Sequence, residues 1–413
     1  MAANPWLPLQ DAINLLLSSA PLPAESVSVP LLEALNRVAS QDVFAPVNVP
    51  PCDNSAMDGY VMHADDAQMG KQLPVVARIF AGDSKDYAIA RGECARIMTG
   101  APIPAMCNAV VMQEDVTAQD DQITLNETVG AGANIRPVGA DIVSGDCIIK
   151  AGTRLTPAHL TLLSSLGLAK VSVYPSITVG LLATGDELKA AGEPLAKGQI
   201  YESNRIGVAA LLHQCQVTLI DYGIVPDHPP TIRETLETAA QQCDLVISSG
   251  GVSVGDADFI KDILAELGDV AFWKVAIKPG KPFAFGHINN ALFCGLPGNP
   301  VSAYVTTEQL VVPLIRQLQG EQVCAQSHRQ HIPAVLSASI KRRPGRLDFQ
   351  RATFHVDADN KVVVTPHAKQ SSGVMTGIVQ ANCYMLIPAD VSELQAGDSI
   401  MIQPFSIWEN TSA

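Results

Sequence analysis

Apolar residues alternate between continuous runs and helical spacing most clearly between positions 177 and 318. Apolar-rich runs at 177–183, 217–225 and 244–249 predict strands, the first of them buried. The stretches 203–214, 230–242 and 257–267 between and after them place apolar residues on one helical face. Two further runs, 272–277 and 292–295, precede a last helix that begins near Asn299. This alternation predicts a parallel sheet with helices on both faces.

The flanking segments have a different pattern. Residues 7–19 and 30–38 predict two short helices. From about 43 to 146, short apolar stretches such as 73–80 and 109–112 are separated by turn-forming residues, which predicts a β-rich domain. Residues 326–413 give further short strand-like runs and predict a small β-sandwich or barrel. The fold class is therefore α/β and β, in several domains.

Composition narrows the class of protein. The chain has 413 residues, of which 47% are hydrophobic and 16% charged, which excludes a disordered protein and favours several globular domains. No apolar run is long enough to cross a membrane. The net charge of −14 disfavours nucleic acid and acidic membrane surfaces as partners. Nine scattered cysteines without a Cys-x-x-Cys pair, and an N-terminus without a secretory leader, predict a cytoplasmic protein.

Candidate chemistry follows the predicted strands. In an open parallel sheet, ligands bind beyond the carboxyl ends of the strands, where loops converge and helix N-termini point. Loops at 184–187, 226–227, 248–258 and 296–300 should therefore meet at one edge. Each of them carries Gly, Pro or carboxylate residues, so this edge is the predicted site.

The loop 248–258 is rich in small residues and leads into a helix, as a phosphate-binding loop would. An isolated Gly-Gly is more often only a tight turn, but three further Gly or Ser positions favour ligand binding. The loop is neither a Walker loop nor Gly-x-Gly-x-x-Gly. The predicted anion-binding residues are Ser249, Gly250, Gly251, Ser253 and Gly255.

A group of carboxylates is predicted at the same edge. Its members are Asp186, Glu187, Asp227, Asp256 and Asp258. Acids clustered beside a phosphate require a cation, and Mg²⁺ is the natural choice. Each acid taken alone could equally be a helix cap or a solvated turn residue, so the prediction depends on the group.

Basic residues could supply the positive charge that the chain as a whole lacks. Lys274 and Lys278 are four apart on a predicted extended segment and would face the same side, and Lys281 follows. Arg136, Arg346 and Arg351 are weaker candidates, because each is individually more typical of a surface or structural ion pair. The histidines lack metal-ligand spacing, which argues against zinc.

Two loops outside the sheet, 53–60 and 96–102, are explained by turn chemistry alone. Six motifs nevertheless stand out along the chain: DNSAMDGY at 53–60, IMTGAP at 97–102, SSGGVSVG at 248–255, KPGKP at 278–282, LPGNP at 296–300 and PGRLDFQ at 344–350. In this order and over nearly the whole chain, they resemble the MoeA family of molybdopterin molybdenumtransferases, which includes the E domain of gephyrin.

The resemblance implies four domains. They are a segmented helical piece at 1–45 with 146–176, a β-rich domain at 46–145, a pterin-binding α/β domain at 177–325 and a C-terminal β-barrel at 326–413. It also implies a homodimer whose cleft is shared between the α/β domain of one subunit and the β-rich domain of the other. Transient contact with the pterin adenylyltransferase and with downstream cofactor-handling proteins is a further expectation.

The resemblance also assigns residues by motif. It implies active-site roles for Asp58, Thr99, Asp141, Glu187, Asp227 and Asp258, with Mg²⁺ held by Glu187, Asp227 and Asp258. Lys274, Lys278, Lys281, Pro297 and Pro300 are expected to line the site. Two departures concern loop packing: Ala140 stands where the family pattern has Glu, and Cys52 where it has an aromatic residue.

The reaction that the resemblance implies uses molybdopterin-adenylate and molybdate, releases AMP and leaves molybdenum on the pterin dithiolene. One alternative is the pterin adenylyltransferase, which resembles the α/β domain but should carry a Thr-Gly-Gly-Thr-Gly loop. Another is a non-catalytic scaffold of the gephyrin type, although the retained acids favour an enzyme.

Overall fold

The computed structural model describes residues 6–250, 259–323 and 330–405. Its helices are α1 (Leu9–Ser19), α2 (Pro157–Ser165), α3 (Asn204–Gln214), α4 (Pro229–Gln242), α5 (Phe259–Leu267), α6 (Pro300–Thr306), α7 (Val312–Leu318) and α8 (Thr376–Val379). Short 3-10 turns occur at Leu31–Ala34, Ala64–Asp66 and Gln113–Asp115, and a π-helical turn, Thr307–Val311, joins α6 to α7. In the described part of the chain, no helix is both long and apolar enough to span a bilayer.

The chain forms two compact units. The β-rich unit contains Ser28–Leu35 and Ala39–Ser172. The α/β–barrel unit contains Met1–Val27, Asn36–Val38 and Val173–Ala413. The predicted helix at 30–38 is only a 3-10 turn at Leu31–Ala34.

The β-rich unit is built on one six-stranded sheet. The strands of this unit and its boundaries are, in chain order, β1 (Val27–Pro30), β2 (Val43–Phe44), β3 (Asn54–Ser55), β4 (Gly59–Met62), β5 (Gln72–Ile79), β6 (Cys94–Ile97), β7 (Ala109–Met112), β8 (Val116–Gln119), β9 (Gln122–Leu125), β10 (Ile135–Arg136), β11 (Cys147–Ile149) and β12 (Lys170–Val173). The sheet order is β7-β4-β6-β5-β9-β8, with the two-stranded ladders β1-β12, β2-β11 and β3-β10 beside it. Successive residues of β4 enter different cores: Val61 packs with Ile79 and Ile97, whereas Met62 packs with Leu73 and Ile123.

A second six-stranded sheet forms the α/β part. Its segment contains β13 (Thr178–Thr184), β14 (Leu188–Lys189), β15 (Ile200–Tyr201), β16 (Thr218–Val225), β17 (Leu245–Ser249), β18 (Gly268–Lys274), β19 (Ile277–Lys278), β20 (Pro282–Ile288) and β21 (Ala291–Leu296). The order is β16-β13-β17-β21-β20-β18. The first four strands are parallel to one another, β20 is antiparallel to both of its neighbours, and β18 therefore runs in the same direction as the first four. The sheet is thus mixed at the β20 position, where a purely parallel sheet was predicted. Helices cover both faces as predicted: Leu212 of α3 packs on one side, and Leu236 of α4 with Leu264 of α5 packs on the other.

The C-terminal part is a barrel closed by five strands. Its strands are β22 (Ile332–Leu336), β23 (Ile340–Lys341), β24 (Leu347–Val356), β25 (Val362–Pro366), β26 (Cys383–Ile387), β27 (Glu393–Leu394) and β28 (Ser399–Pro404). The order β24-β25-β22-β28-β26 closes because β26 also pairs with β24. Closure removes exposed strand edges. The short strand β19 adds to β24, with Ile277 opposite Leu347.

Candidate active site

A cleft of about 980 Å³ lies at the carboxyl ends of the parallel strands in the α/β–barrel unit. Its walls come from the predicted loops, from the turn at 278–282, from residues 201–204 and from two segments of the barrel. The lining residues include Thr184, Gly185, Glu187, Asp227, Ser249, Gly250, Lys278, Lys281, Pro297, Pro300, Arg346, Gln370, Ser371 and Ser372. The predicted sheet edge therefore coincides with a cavity of ligand size.

One wall of the cleft is acidic. Asp186 and Glu187 follow β13, and Asp227 follows the neighbouring strand β16. The Asp227 backbone N–H donates to Asp186 Oδ1 at 3.0 Å. Asp227 is exposed by surface area, but desolvation by the surrounding protein and the nearby Asp186 and Glu187 carboxylates raise its pKa, although the backbone hydrogen bond opposes this. Like charges held this close favour either a proton or a bound cation.

No group of three His, Cys, Asp or Glu side chains has the geometry of a metal site in ranges 6–250, 259–323 and 330–405. Asp258, the third predicted metal ligand, lies outside these residues, as do Gly251, Ser253, Gly255 and Asp256. Of the three predicted metal ligands, Glu187 and Asp227 are described, and both line the cleft. Desolvation and the neighbouring carboxylates disfavour the charged form of Asp227, which fits a bound divalent cation.

The described start of the glycine-rich loop is tightly held. Ser249 is buried at the end of β17, and the Gly250 N–H donates to Leu296 O at 3.2 Å. Gly250 has φ +95°, and a Cβ on it would lie 3.0 Å from Thr184 O. Glycine is therefore required for this loop to leave β17 beside β13.

The basic wall differs from the expected single segment. Lys274 ends β18, whereas Lys278 lies in β19, because the intervening Val275 pairs with Leu7 and the chain then crosses to the barrel. Lys278 and Lys281 line the cleft; Lys274 is not among the lining residues. The Lys278 ammonium lies 3.2 Å from Oδ2 of the buried Asp348.

The turn between these lysines also requires glycine. Gly280 has φ +113°, and a Cβ there would lie 2.6 Å from Thr306 Oγ1 and 3.0 Å from Ile277 Cδ1. The Lys-Pro-Gly-Lys motif is thus packed against the end of α6, which fixes where both lysines leave the backbone.

The loop after β21 brings two predicted prolines to the cleft. Pro297 is buried and Pro300 is the first residue of α6, a position that needs no backbone donor. Asn204 Nδ2, at the start of α3, donates to Gly298 O at 2.7 Å and ties this loop to the next wall.

Two wall segments were missed by reasoning from strand ends. Residues 201–204 begin with the last residue of β15, a two-residue strand with no clear pattern. Glu202 is buried and its Oε1 accepts from the Arg205 N–H at 2.7 Å. The second segment, 370–372, comes from the distant barrel, and the local sequence contains no signal for its position.

The 370–372 segment of the barrel is held in place by hydrogen bonds from the buried Arg351. This arginine is only 1% exposed, and its Nη2 donates to Lys369 O at 3.2 Å and to Ser371 O at 3.1 Å. Burial lowers the pKa of its guanidinium. Gln370 Nε2 adds a bond to Arg351 O at 2.8 Å. Of the three weaker arginine candidates, Arg346 lines the cleft, Arg351 supports its wall, and Arg136 lies in β10 of the β-rich unit.

In the β-rich unit, Asp58 and Thr99 lie together. Antiparallel pairing of β4 with β6 places Gly59 opposite Ile97, so the residues just before β4 and just after β6 meet. Asp58 Oδ1 accepts from the Thr99 N–H at 2.7 Å and from Thr99 Oγ1 at 2.8 Å. These two hydrogen bonds, with a smaller contribution from the charge of Arg96, lower the pKa of Asp58 despite some desolvation.

Asp141 lies on a separate loop of the same unit. Its backbone N–H donates to Val49 O at 2.9 Å, and its side chain is exposed. The two residues that depart from the family pattern, Ala140 and Cys52, are both exposed. Asp53 Oδ1 accepts from the Val138 N–H at 2.8 Å, which connects the Asp53 and Asp141 loops.

Comparison with known families covers nearly the whole chain. Residues 7–167 match the MoeA N-terminal region (domain I and II), 180–317 a probable molybdopterin binding domain, and 333–405 the MoeA C-terminal region (domain IV). The molybdopterin molybdenumtransferase of Haemophilus influenzae is 43% identical over 97% of this chain and 99% of that protein. The enzyme of the same name from Synechococcus elongatus is 35% identical over 95% and 98%.

The solved structures agree with this assignment. The molybdopterin biosynthesis moeA protein from Pyrococcus horikoshii OT3 has a TM-score of 0.83 at 29% identity and covers 97% of this chain and 100% of that one. With identity above 40% to a full-length relative and the same fold throughout, the chain belongs to the MoeA family of molybdopterin molybdenumtransferases.

Proposed function

We propose that this chain inserts molybdenum into molybdopterin, and that its substrates are molybdopterin-adenylate and molybdate. The phosphoanhydride bond of the adenylate is cleaved by water, AMP leaves, and molybdenum remains on the pterin dithiolene. The observation that carries the proposal is the cleft, in which an acidic wall faces cationic side chains in a member of this family.

The walls suit an anionic substrate with a reacting phosphate. Lys281 and Arg346 offer positive charge, and Ser249 with Gly250 begins a loop of the phosphate-binding type. Pro297, Pro300 and the 370–372 segment give the cleft a fixed shape. Orientation by such walls can supply a large share of the rate enhancement.

Magnesium is part of the proposal. Glu187 and Asp227, with Asp258, would hold it, and it would neutralise charge that develops on the phosphate. The raised pKa of Asp227 supports this assignment, because both its desolvation and the nearby Asp186 and Glu187 carboxylates disfavour its charge until a cation binds.

The β-rich unit contributes the Asp58–Thr99 pair. An acid whose pKa is lowered by two donors stays ionised and can accept a hydrogen bond or orient water. We propose that Asp58, Thr99 and Asp141 act in the cleft of the partner subunit of a homodimer. The four-domain division, the cytoplasmic location and transient contact with the adenylyltransferase and cofactor-handling proteins belong to the same proposal.

The test uses purified protein, molybdopterin-adenylate, Mg²⁺ and low molybdate, and follows AMP release together with activation of an apo-molybdoenzyme. Release and activation that depend on both metal and molybdate would support the proposal. Formation of the adenylate from ATP would instead identify an adenylyltransferase. A folded dimer without turnover would indicate a scaffold.

A further inference from the structure

We propose that Trp6 is a positioning residue of the cleft, whose indole holds Lys281 and Arg346 in place while leaving their charge for an anionic group of the substrate. The inference rests on the proposed use of the cleft by such a substrate. Trp6 belongs to the N-terminal segment and does not follow a strand of the sheet, so the rule that ligands bind beyond the strand ends does not predict its place at the cleft.

The backbone beside Trp6 is anchored. The Leu7 N–H donates to Lys274 O at 2.9 Å, and the Ala276 N–H donates to Leu7 O at 2.8 Å. Leu7 therefore pairs in parallel with Val275, in the segment that leads directly into the Lys-Pro-Gly-Lys turn. Because this pairing fixes the neighbouring backbone, the indole has a defined place at the start of the turn.

Two cations of the cleft lie against the indole. Lys281 Nζ is 5.1 Å from the ring centroid, and the Arg346 guanidinium carbon is 5.5 Å from it. Both distances are within the range of an attractive cation–π contact. Lys281 and Arg346 line the cleft, while Trp6 itself remains 44% exposed.

Lys278 is held by a carboxylate, whereas Lys281 and Arg346 lie against the indole. The Lys278 ammonium is paired with the buried Asp348, so its positive charge is partly neutralised before any ligand arrives. Within the described residues, neither Lys281 nor Arg346 forms a salt bridge with a carboxylate; Arg346 Nη1 donates only to Ile277 O, at 3.4 Å.

The choice of an aromatic partner has a physical consequence. A carboxylate would order the cations but would also compete with a phosphate or molybdate oxygen for them. The face of an indole attracts a cation through its quadrupole and carries no net charge. Trp6 can thus reduce the side-chain freedom of Lys281 and Arg346 without cancelling the potential that attracts an anion.

The experiment measures binding of AMP and of molybdate to the full chain by calorimetry at low salt. Trp6→Leu removes the ring and keeps an apolar side chain, whereas Trp6→Phe keeps a ring. Leu22→Ala is the matched control, since Leu22 is an exposed apolar residue of the same N-terminal segment, at 62% exposure. Thermal melting confirms that each variant is folded.

We expect Trp6→Leu to weaken binding of at least one anion about two- to fivefold, since a cation–π contact is worth about 0.5–1 kcal/mol at an exposed site. Trp6→Phe should retain most of the affinity, and Leu22→Ala all of it. In turnover, Trp6→Leu should raise KM and leave kcat unchanged. In a Lys281→Met/Arg346→Met background, Trp6→Leu should have no further effect.

Affinities within twofold of the parent chain for Trp6→Leu would overturn the proposal, as would equal losses for the Phe and Leu variants. An undiminished Trp6→Leu effect in the double-methionine background would overturn it too, because the indole would then act independently of the cations. Binding is measured without turnover, so a chain that binds anions in the expected pattern but releases no AMP supports the role of Trp6 and refutes the proposed reaction.

Discussion

Asp58 of the β-rich unit and Asp227 of the α/β–barrel unit are both exposed acids with proposed active-site roles, yet their surroundings shift their pKa values in opposite directions. Asp58 accepts two hydrogen bonds from Thr99, which lower its pKa. Asp227 is partly desolvated beside Asp186 and Glu187, which raises it. Asp58 is thus prepared to remain an anion, whereas Asp227 gains from a proton or a cation.

The largest effect should come from removing either kind of acid. Asp58→Ala and Glu187→Ala are each expected to lower molybdenum insertion by roughly 10²- to 10³-fold, the range for loss of one preorganised electrostatic group. Melting temperature should change little, because both side chains are exposed. Glu127→Ala, at an exposed acid of the β-rich unit, is the control. Normal activity in both variants would refute the site assignment.

The two lysines of the cleft differ in the same way: Lys278 is paired with a carboxylate, and Lys281 lies against the Trp6 indole. Lys278→Met leaves the buried Asp348 carboxylate with Gln350 Nε2, at 3.1 Å, as its one remaining side-chain donor among the described residues, and should reduce the free energy of unfolding by about 1–3 kcal/mol. Lys281 pairs with no carboxylate in the part of the chain that the structure describes, so Lys281→Met should reduce the free energy of unfolding by less than about 0.5 kcal/mol. Urea unfolding of both variants measures the difference, and equal losses would contradict it.

Thr99→Val tests how Asp58 is kept charged. It removes the hydroxyl donor and keeps the backbone donor, so we expect turnover to fall about tenfold, as for loss of one hydrogen bond to a charged group. Because a depressed pKa stabilises the fold above the unfolded pKa, the parent chain should melt higher than the variant near neutral pH. That gap should close as pH falls through the depressed pKa of Asp58.

The smallest effect concerns Asp227. A raised pKa means that its ionised form costs stability at neutral pH, so Asp227→Asn should raise the melting temperature of the metal-free protein by about 1–2 °C. The gain should disappear as pH falls through the raised pKa, where the parent carboxyl is protonated. Mg²⁺ should stabilise the parent more than the variant, and equal stabilisation would argue against Asp227 as a ligand.

The sequence by itself determined the four parallel strands of the α/β part, the helices between them and the edge at which ligand chemistry collects, but not the antiparallel strand β20. Apolar periodicity is a local property, and parallel strands bring the residues that follow them, such as Glu187 and Asp227, to one edge. The Asp58–Thr99 pair was accessible only through family resemblance, because its loops have no distinguishing pattern beyond turn residues.

Only the tertiary structure decided which further segments line the cleft and which partner each charged side chain has. The 370–372 segment, the partner of Lys278 and the place of Trp6 depend on contacts across about 70 to 275 positions of the chain, as in the Lys278–Asp348 pair and the Trp6–Lys281 contact. Closure of the barrel and the pairing of Leu7 with Val275 create them. A local pattern specifies which face of an element is buried, but it carries no information on which distant side chain will lie beside a given charge.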